Sequence, residues 1–448
     1  MLAFLLVTAV LAGVVFGLAP ALQGSVRDAA DALKENGRGS TDGRRRSRLR
    51  DLLVASEFAL AVVLLVGAGL MIRSFAGLQA IDAGFDPRGV LTMIVSVAGS
   101  GQAEPGRRRV FYDELVQRVQ ALPGVTAASM INHLPLAGDI WVWPFAVQGR
   151  PPARPGESPN AVYRAVMPGY FRTMGIALER GRDIAASDTL EAPGVVIVND
   201  ALAARTWPGE DAIGKQISFD NAAGARRWLT VVGVARNARQ EEWTRPPDPE
   251  AYLAVMQTRD YLESAQPHSS YLTLVVRTGG DPAGLVPEIR GVVRSLDAGV
   301  VLAETQTMED AVAGATAQPR FYLLLLGTFG AVALFLAAAG IYGVMSYAVS
   351  RRAHEIGVRL SLGAQRGDVV RMIVGQGMRV AGAGAAVGVI GALATSRAMS
   401  TILYGVGPAD PATFAVALIV LGGVALAACF VPAQRATQIN PIDTLRSE

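Results

Sequence analysis

The chain has 448 residues, 51% of them hydrophobic and 18% charged, with a mean hydropathy of +0.33. That balance argues against an ordinary soluble protein, which carries more charge and less apolar surface, and a net charge of +3 does not call for a nucleic-acid partner. One cysteine, Cys429, excludes an intrachain disulfide, and three histidines in unlike contexts, His133, His268 and His354, give no metal-ligand cluster; no metal or cofactor is expected.

Residues 1–20 are the first stretch long enough to cross a bilayer, which takes about 20 apolar residues. No basic segment precedes them, so they read as a span rather than a cleaved leader. Residues 21–50 form a basic linker carrying Arg27, Lys34, Arg38, Arg44, Arg45, Arg46, Arg48 and Arg50. Its charges orient the flanking spans, and the run at 44–50 also suits anionic lipid headgroups. The second span, 51–73, has its apolar run at 52–71 and holds Glu57 about two turns inside. A carboxylate there is costly. It has two readings: a proton-coupling group, or a structural partner of Arg48 or Arg50.

Residues 74–320 have ordinary polarity and read as a domain outside the membrane. Residues 91–97 alternate like a strand. Phe111, Leu115, Val119 and Leu122 recur at helical spacing, and 125–130 is a short strand. The far end repeats the pattern. A strand at 271–277 is followed by a helix with Leu285, Ile289, Val292, Val293 and Leu296 on one side, then a strand at 300–305. The segments 91–130 and 271–310 thus read as paired βαβ units in a ferredoxin-like sandwich. Residues 131–268 are an inserted β-rich subdomain with strand-like runs at 195–198 and 229–234 and Pro-rich loops at 144–159 and 245–249. All five tryptophans, Trp141, Trp143, Trp207, Trp228 and Trp243, fall in this insert, as core residues or as a partner surface. Scattered carboxylates and the lack of a Gly-x-Ser-x-Gly motif give no catalytic set.

Three more spans follow within 321–431, at 321–349, 372–395 and 413–431. The loop 350–371 between the first two carries Arg351, Arg352, Arg359, Arg366 and Arg371 and is therefore cytoplasmic. The same rule puts 74–320 and the short loop 396–412 outside and the tail 432–448 inside. Six glycines in 372–395 suit close helix contacts in lipid. An internal repeat adds to this picture. Pro20-Ala21-Leu22…Asp31-Ala32-Leu33-Lys34 aligns without a gap with Pro432-Ala433-Gln434…Asp443-Thr444-Leu445-Arg446. The first span then reads as the end of a preceding module, and the rest as one module of one span, an outer domain and three spans. The expected fold class is a membrane α-helical bundle plus an α+β extracytoplasmic domain.

Several segments carry a resemblance. They are Ile341 to Tyr347 (Ile-Tyr-Gly-Val-Met-Ser-Tyr), Arg351-Arg352, Glu355-Ile356-Gly357-Val358-Arg359 and Leu362-Gly363-Ala364. With them go Pro168-Gly169-Tyr170-Phe171, Gly181-Arg182, Val196-Ile197-Val198-Asn199, Ile213-Gly214-Lys215, Leu403-Tyr404-Gly405-Val406 and Asp410-Pro411. In this order they resemble the MacB/FtsX-family permeases of ABC transporters, the type VII or mechanotransmission group. The chain is similar to the C-terminal module of a duplicated member. It departs from MacB itself in having no Gly-x-x-x-x-Gly-Lys-Ser/Thr phosphate loop.

The resemblance implies a non-catalytic permease subunit in the bacterial inner membrane with a periplasmic core domain. It also implies a dimer of cytoplasmic ATPase subunits, a second permease module or homodimer partner, and in some systems a periplasmic fusion protein. The ATPase would dock on the coupling loop at Arg351, Arg352, Glu355, Gly357, Arg359, Gly363 and Ala364. The implied activity is export of an amphiphilic, peptide or lipoprotein-like substrate. The alternative is an FtsX-like scaffold whose outer domain activates a periplasmic partner such as a cell-wall hydrolase.

Overall fold

The computed structural model describes residues 41–79, 82–104, 106–136, 140–151, 154, 158–220, 226–239, 246–264, 266, 269–352, 355–356, 358–359, 365–400 and 403–437. Span 1–20 and both copies of the internal repeat beyond residue 437 or before residue 41 lie outside them. Among the described residues four helices are long and apolar enough to cross a membrane: α1 (Thr41–Gln79), α8 (Ala317–Arg351), α9 (Arg366–Ala398) and α10 (Pro411–Ala436).

The helices overrun their apolar stretches. α1 starts at Thr41, inside the stretch read as a basic linker, because arginine is a good helix former and the helix needs no apolar residue to continue. α10 continues through Pro432 to Ala436, past the expected start of the tail. In α9, Gly384 and Gly388 explain the small residues. A Cβ at 384 would lie 2.5 Å from the Ala55 carbonyl oxygen, and one at 388 would lie 2.7 Å from Val62 Cβ. Glycine therefore lets α9 and α1 backbones approach, which is how apolar helices gain contact in lipid.

The outer domain is an α+β structure on one 12-stranded sheet. Its first part uses β1 (Val90–Ser96), β2 (Val125–Ile131), β11 (Tyr271–Thr278) and β12 (Val301–Thr307), in the order β12-β1-β11-β2 and antiparallel throughout. Each βαβ unit thus has a strand of the other beside it. The helices α2 (Arg107–Gln120) and α6 (Val286–Leu296) bury Phe111, Leu115 and Val119, and Ile289 and Val293, at three- and four-residue spacings. These pack on Leu91, Met93 and Val95 of β1 and Leu272, Leu274 and Val276 of β11. The opposite face is also covered: Val275 joins Tyr170, Phe171 and Met174 of the short helix α3 (Tyr170–Met174) and Met308 in a second core. Burial on both faces is more than the alternation read in 91–97 and 271–277 required, since alternation leaves one face for solvent.

The inserted residues do not build a separate sheet. β5 (Asn160–Val166) continues the first one through a single pair, Ile131 with Val166, and β10 (Glu250–Ala254), β7 (Val195–Asn199) and β9 (Leu229–Ala235) follow. Here β5–β10 and β7–β9 are parallel, so the insert is mixed where the first part is antiparallel. Short strands β3 (Val142–Pro144), β4 (Ala146–Val147), β6 (Leu178–Gly181) and β8 (Gln216–Ser218) complete it, with α4 (Asp200–Thr206), α5 (Arg259–Glu263) and, after β12, α7 (Met308–Ala315). Trp207 is buried with Val196, Val198, Leu202 and Val231 in the insert's own core. Trp143 is exposed, and Trp243 lies outside the described residues.

Candidate functional site: the segment between α8 and α9

α8 ends at Arg351, and a short segment leads to α9 at Arg366. Of the residues expected to couple to an ATPase, Arg351, Arg352, Glu355 and Arg359 are described and exposed; Gly357, Gly363 and Ala364 lie outside the described residues. Glu355 and Ile356 are helical, and the Ile356 N–H donates to the Arg352 carbonyl at 2.8 Å. Arg359 Nη2 donates to Glu355 Oε1 at 2.6 Å, four residues away on the same face. Both side chains are about half exposed, at 49% and 50%. The pair is therefore solvated and weakly held.

Ile356 is the residue that the charge pattern hides. It is buried, 1% exposed, and with Val349 of α8 and Ile373 of α9 lines one small cavity. Arg352 Nη1 also donates to Gln376 Oε1 of α9 at 3.1 Å, and Arg359 Nη1 reaches Met372 Sδ at 3.2 Å. The segment thus presents charge outward and is fastened to both span helices by one apolar plug and two polar links.

Arg50 does not reach Glu57. Its guanidinium lies 4.1 Å from the centroid of the Tyr347 ring on α8, a cation–π contact. Seven helical residues separate Arg50 and Glu57, a rise of about 10 Å, too long for one arginine to span. The expectation that Arg50 or Arg48 pairs with Glu57 is not met: among the described residues Glu57 has no ion pair. It faces α8 instead, where a Cβ on Gly340 would fall 2.5 Å from Glu57 Oε2. The glycine makes room for the carboxylate. Arg435 Nη1 of α10 donates to the Tyr342 hydroxyl at 3.0 Å. With Arg50 over Tyr347, these contacts gather the basic ends of α1, α8 and α10 in one region.

The other helix ends are joined by the loop before α10. The Tyr404 N–H donates to Ser74 Oγ at 2.8 Å. Asp410 Oδ2 accepts from the Thr413 N–H at 2.8 Å and from its hydroxyl at 2.6 Å, capping α10, and from Arg73 of α1. Pro411 sits at the first helical position, where its missing N–H costs nothing. The Thr413 hydroxyl and N–H, with Arg73, hold the Asp410 carboxyl below the usual carboxylate range, against desolvation, which raises it. The Tyr404 and Asp410-Pro411 motifs are thus a clamp on Ser74 and Arg73, at the end of α1 that leads into the outer domain.

The outer-domain motifs are likewise structural. Gly181 has φ of +78°, and a Cβ there would lie 2.1 Å from the Val232 carbonyl oxygen, so only glycine fits. Asn199 caps α4 by accepting from the Leu202 N–H at 2.9 Å and also accepts from the Glu250 N–H at 2.9 Å. Nearby is an ion pair that the sequence did not reveal: Arg164 Nε donates to Glu250 Oε1 at 2.9 Å, with both side chains fully buried. Arg164 Nη1 also donates to the His133 carbonyl, and the Tyr252 hydroxyl donates to Glu250 Oε2 at 2.6 Å. Burial raises the Tyr252 hydroxyl well above its ordinary range, so it remains a donor. Among the described residues no cluster of three or more His, Cys, Asp or Glu could hold a metal.

Comparison with known proteins agrees with this division. Residues 59–292 match the MacB-like periplasmic core domain family, and residues 327–441 match the FtsX-like permease C-terminal family. The macrolide export ATP-binding/permease protein MacB of Neisseria meningitidis serogroup A is 24% identical over 286 residues, covering 62% of this chain and 42% of that protein. Its counterpart from Agrobacterium fabrum is 22% identical over 388 residues, covering 86% of this chain and 58% of that protein. Among solved structures, the periplasmic region of MacB from Actinobacillus actinomycetemcomitans gives a TM-score of 0.33 at 13% identity, covering 51% of this chain and 94% of that one. The chain spans about two-fifths of the length of the Neisseria relative. A core-domain match over more than half of the chain, followed in order by the permease match over the last spans, shows that it belongs to the MacB/FtsX-like permease family.

Proposed function

We propose that the chain is the permease subunit of an ABC transporter in the bacterial inner membrane, and that it passes ATP-driven motion to its outer domain. The reading rests on the segment between α8 and α9, which exposes Arg351, Arg352, Glu355 and Arg359 while Ile356 fastens it to both helices. A dimer of cytoplasmic ATPase subunits docks there, and a second permease module or a second copy completes the transporter. A push on the segment enters α8 at its end, because Ile356 is buried and cannot slide without dragging Val349 and Ile373.

Chain connectivity supports the relay. α1 runs 39 residues without a break, about 58 Å at 1.5 Å per residue. A single residue, Thr316, separates α8 from α7, and α7 follows β12 directly under a capping box made by Thr307 and Asp310. The end of α1 from Leu64 and the start of α8 to Gly330 belong to the same compact unit as the sheet. The two rods thus lead toward β1 and β12, which are adjacent strands. A relative shift of the rods would be felt across one ladder. The cargo class that fits a family whose relative is named for macrolide export is an amphiphile.

Charge reversal tests the docking. Glu355→Lys should abolish co-purification of the ATPase expressed with it. Glu355→Arg combined with Arg359→Glu restores the internal pair but leaves the pattern reversed, and it should fail as well. Undiminished ATPase recovery with both variants would reject this docking site.

A further inference from the structure

The insert encloses a cavity of about 1150 Å³ in the outer domain, slightly larger than the roughly 300–1,000 Å³ typical of small-molecule sites. Its apolar wall includes Trp141 just before β3, Trp143 on β3, Tyr163 on β5, Phe219 after β8 and Leu190. Tyr163 and Phe219 meet edge to face with centroids 5.3 Å apart, and Trp143 lies 6.4 Å from Tyr163. Tyr163 packs against both the first core and the insert's core, so the aromatic wall stands on rigid elements. Trp143 is 44% exposed. A large ring left to water beside an open cavity is an unfilled apolar contact.

The cavity is lined by two arginines, Arg227 and Arg259, and two aspartates, Asp220 and Asp260, and among them one arginine nitrogen lacks a partner. Arg227 is held by two hydrogen bonds. Its N–H donates to Asp220 Oδ2 at 2.7 Å, its Nη1 donates to the Gln257 carbonyl, and the residue lines the cavity. Its Nη2, however, is buried and has no hydrogen-bond partner among the described residues. A buried guanidinium N–H without an acceptor is costly, and an incoming anion would relieve that cost. Asp220 is already engaged by the Arg227 N–H, and Arg259 and Asp260, which also line the cavity, are exposed side chains of opposite charge.

We propose that this cavity binds an anionic amphiphile, its hydrocarbon or aromatic body against Trp141, Trp143, Tyr163 and Phe219 and its acidic group at the Arg227 guanidinium. Binding follows from the cavity alone. That the bound molecule is cargo rests on the permease reading above.

The tryptophans supply the assay. All five lie between positions 141 and 243, and none is in a span, so a quencher dissolved in the bilayer leaves them bright. The full chain in lipid nanodiscs is titrated with ω-bromoundecanoate and with the neutral ω-bromoundecanol, whose bromine quenches indole only at contact. The acid should quench saturably, with the alcohol binding roughly tenfold more weakly, the loss expected for a charge-assisted hydrogen bond. Arg227→Gln should remove that preference while keeping the thermal melt. Leu190→Glu, which adds a carboxylate to the cavity's apolar wall, should abolish acid binding. Quenching that never saturates, or equal affinity for acid and alcohol in the unmodified chain, overturns the proposal, as does an unchanged preference in Arg227→Gln. The assay contains no ATPase. Saturable acid binding with failed ATPase docking would leave the cavity's role standing and remove the permease reading, and the opposite result would remove the cavity's role alone.

Discussion

Two arginine–glutamate pairs in this chain have nearly the same geometry and opposite surroundings. Arg164 and Glu250 meet at 2.9 Å in the outer domain with no exposure; Arg359 and Glu355 meet at 2.6 Å between α8 and α9 with each side chain about half exposed. The first pair is locked by further hydrogen bonds: the Tyr252 hydroxyl donates to Glu250, and Arg164 donates to the His133 carbonyl. The second has solvent on its open side. Distance therefore does not rank ion pairs; desolvation does. A buried pair cannot lose one partner without stranding a charge, whereas a solvated pair can exchange its partner at small cost. The outer-domain pair is a fixture that joins β5 to β10. The pair near the membrane ends of the helices is available to another protein.

The largest effect should come from breaking the fixture. Glu250→Ala leaves the Arg164 guanidinium buried without its carboxylate and should destabilise the outer domain by about 3–5 kcal/mol. Thermal unfolding of the chain, followed by the fluorescence of the buried Trp207, reads this directly. Replacing both partners, as Arg164→Leu with Glu250→Leu, should recover a large part of the loss, because no charge is then stranded. A Glu250→Ala protein that melts with the unmodified chain would show that the buried pair fixes nothing.

Asp410 lies between the two extremes, since it caps α10 and accepts from Arg73 of α1 at the surface. Asp410→Asn should lower Tm by less than Glu250→Ala does. The sign of its pH dependence is fixed. The folded-state carboxyl titrates below its ordinary value, so its contribution is fully present above the unfolded pKa and is lost as pH falls through the folded one. The gap in Tm between the unmodified chain and Asp410→Asn should therefore be constant near neutrality and close in acid, below the usual carboxylate range. A gap that persists there would place the stabilisation in something other than the ionised carboxyl.

The same contrast explains what the sequence could and could not disclose. The first and last βαβ units were legible because Phe111, Leu115 and Val119, and Ile289 and Val293, bury one stripe of a helix, and each strand is bounded by turns. The four spans among the described residues were legible from length and apolarity alone. β5 and β10 were not: Arg164 and Glu250 interrupt the apolar pattern, and only the fold brings them together across 86 residues. Nor does the sequence show that the insert's sheet continues the first, since one pair, Ile131 with Val166, makes the join. In the segment between α8 and α9 the charges stood out and Ile356 did not, although its burial is what fastens the exposed charges to both span helices. Glu57 was conspicuous for its charge, but its neighbour Gly340 could be found only in three dimensions.

The smallest stability effect is expected at the exposed pair, and its smallness is informative. A solvated pair four residues apart on a helix contributes about 0.3–0.5 kcal/mol, less at high salt. Glu355→Gln should thus leave thermal unfolding nearly unchanged in the same assay that registers Glu250→Ala strongly. If Glu355 serves only the fold, that near-silence should extend to every other measurement. If it serves a partner, Glu355→Gln should weaken ATPase recovery while the melt stays put, and raised salt should weaken recovery in the unmodified chain too. Loss of stability comparable to Glu250→Ala would mean that the segment is built like the outer-domain core, and the distinction between a fixture and an exchangeable contact would fail.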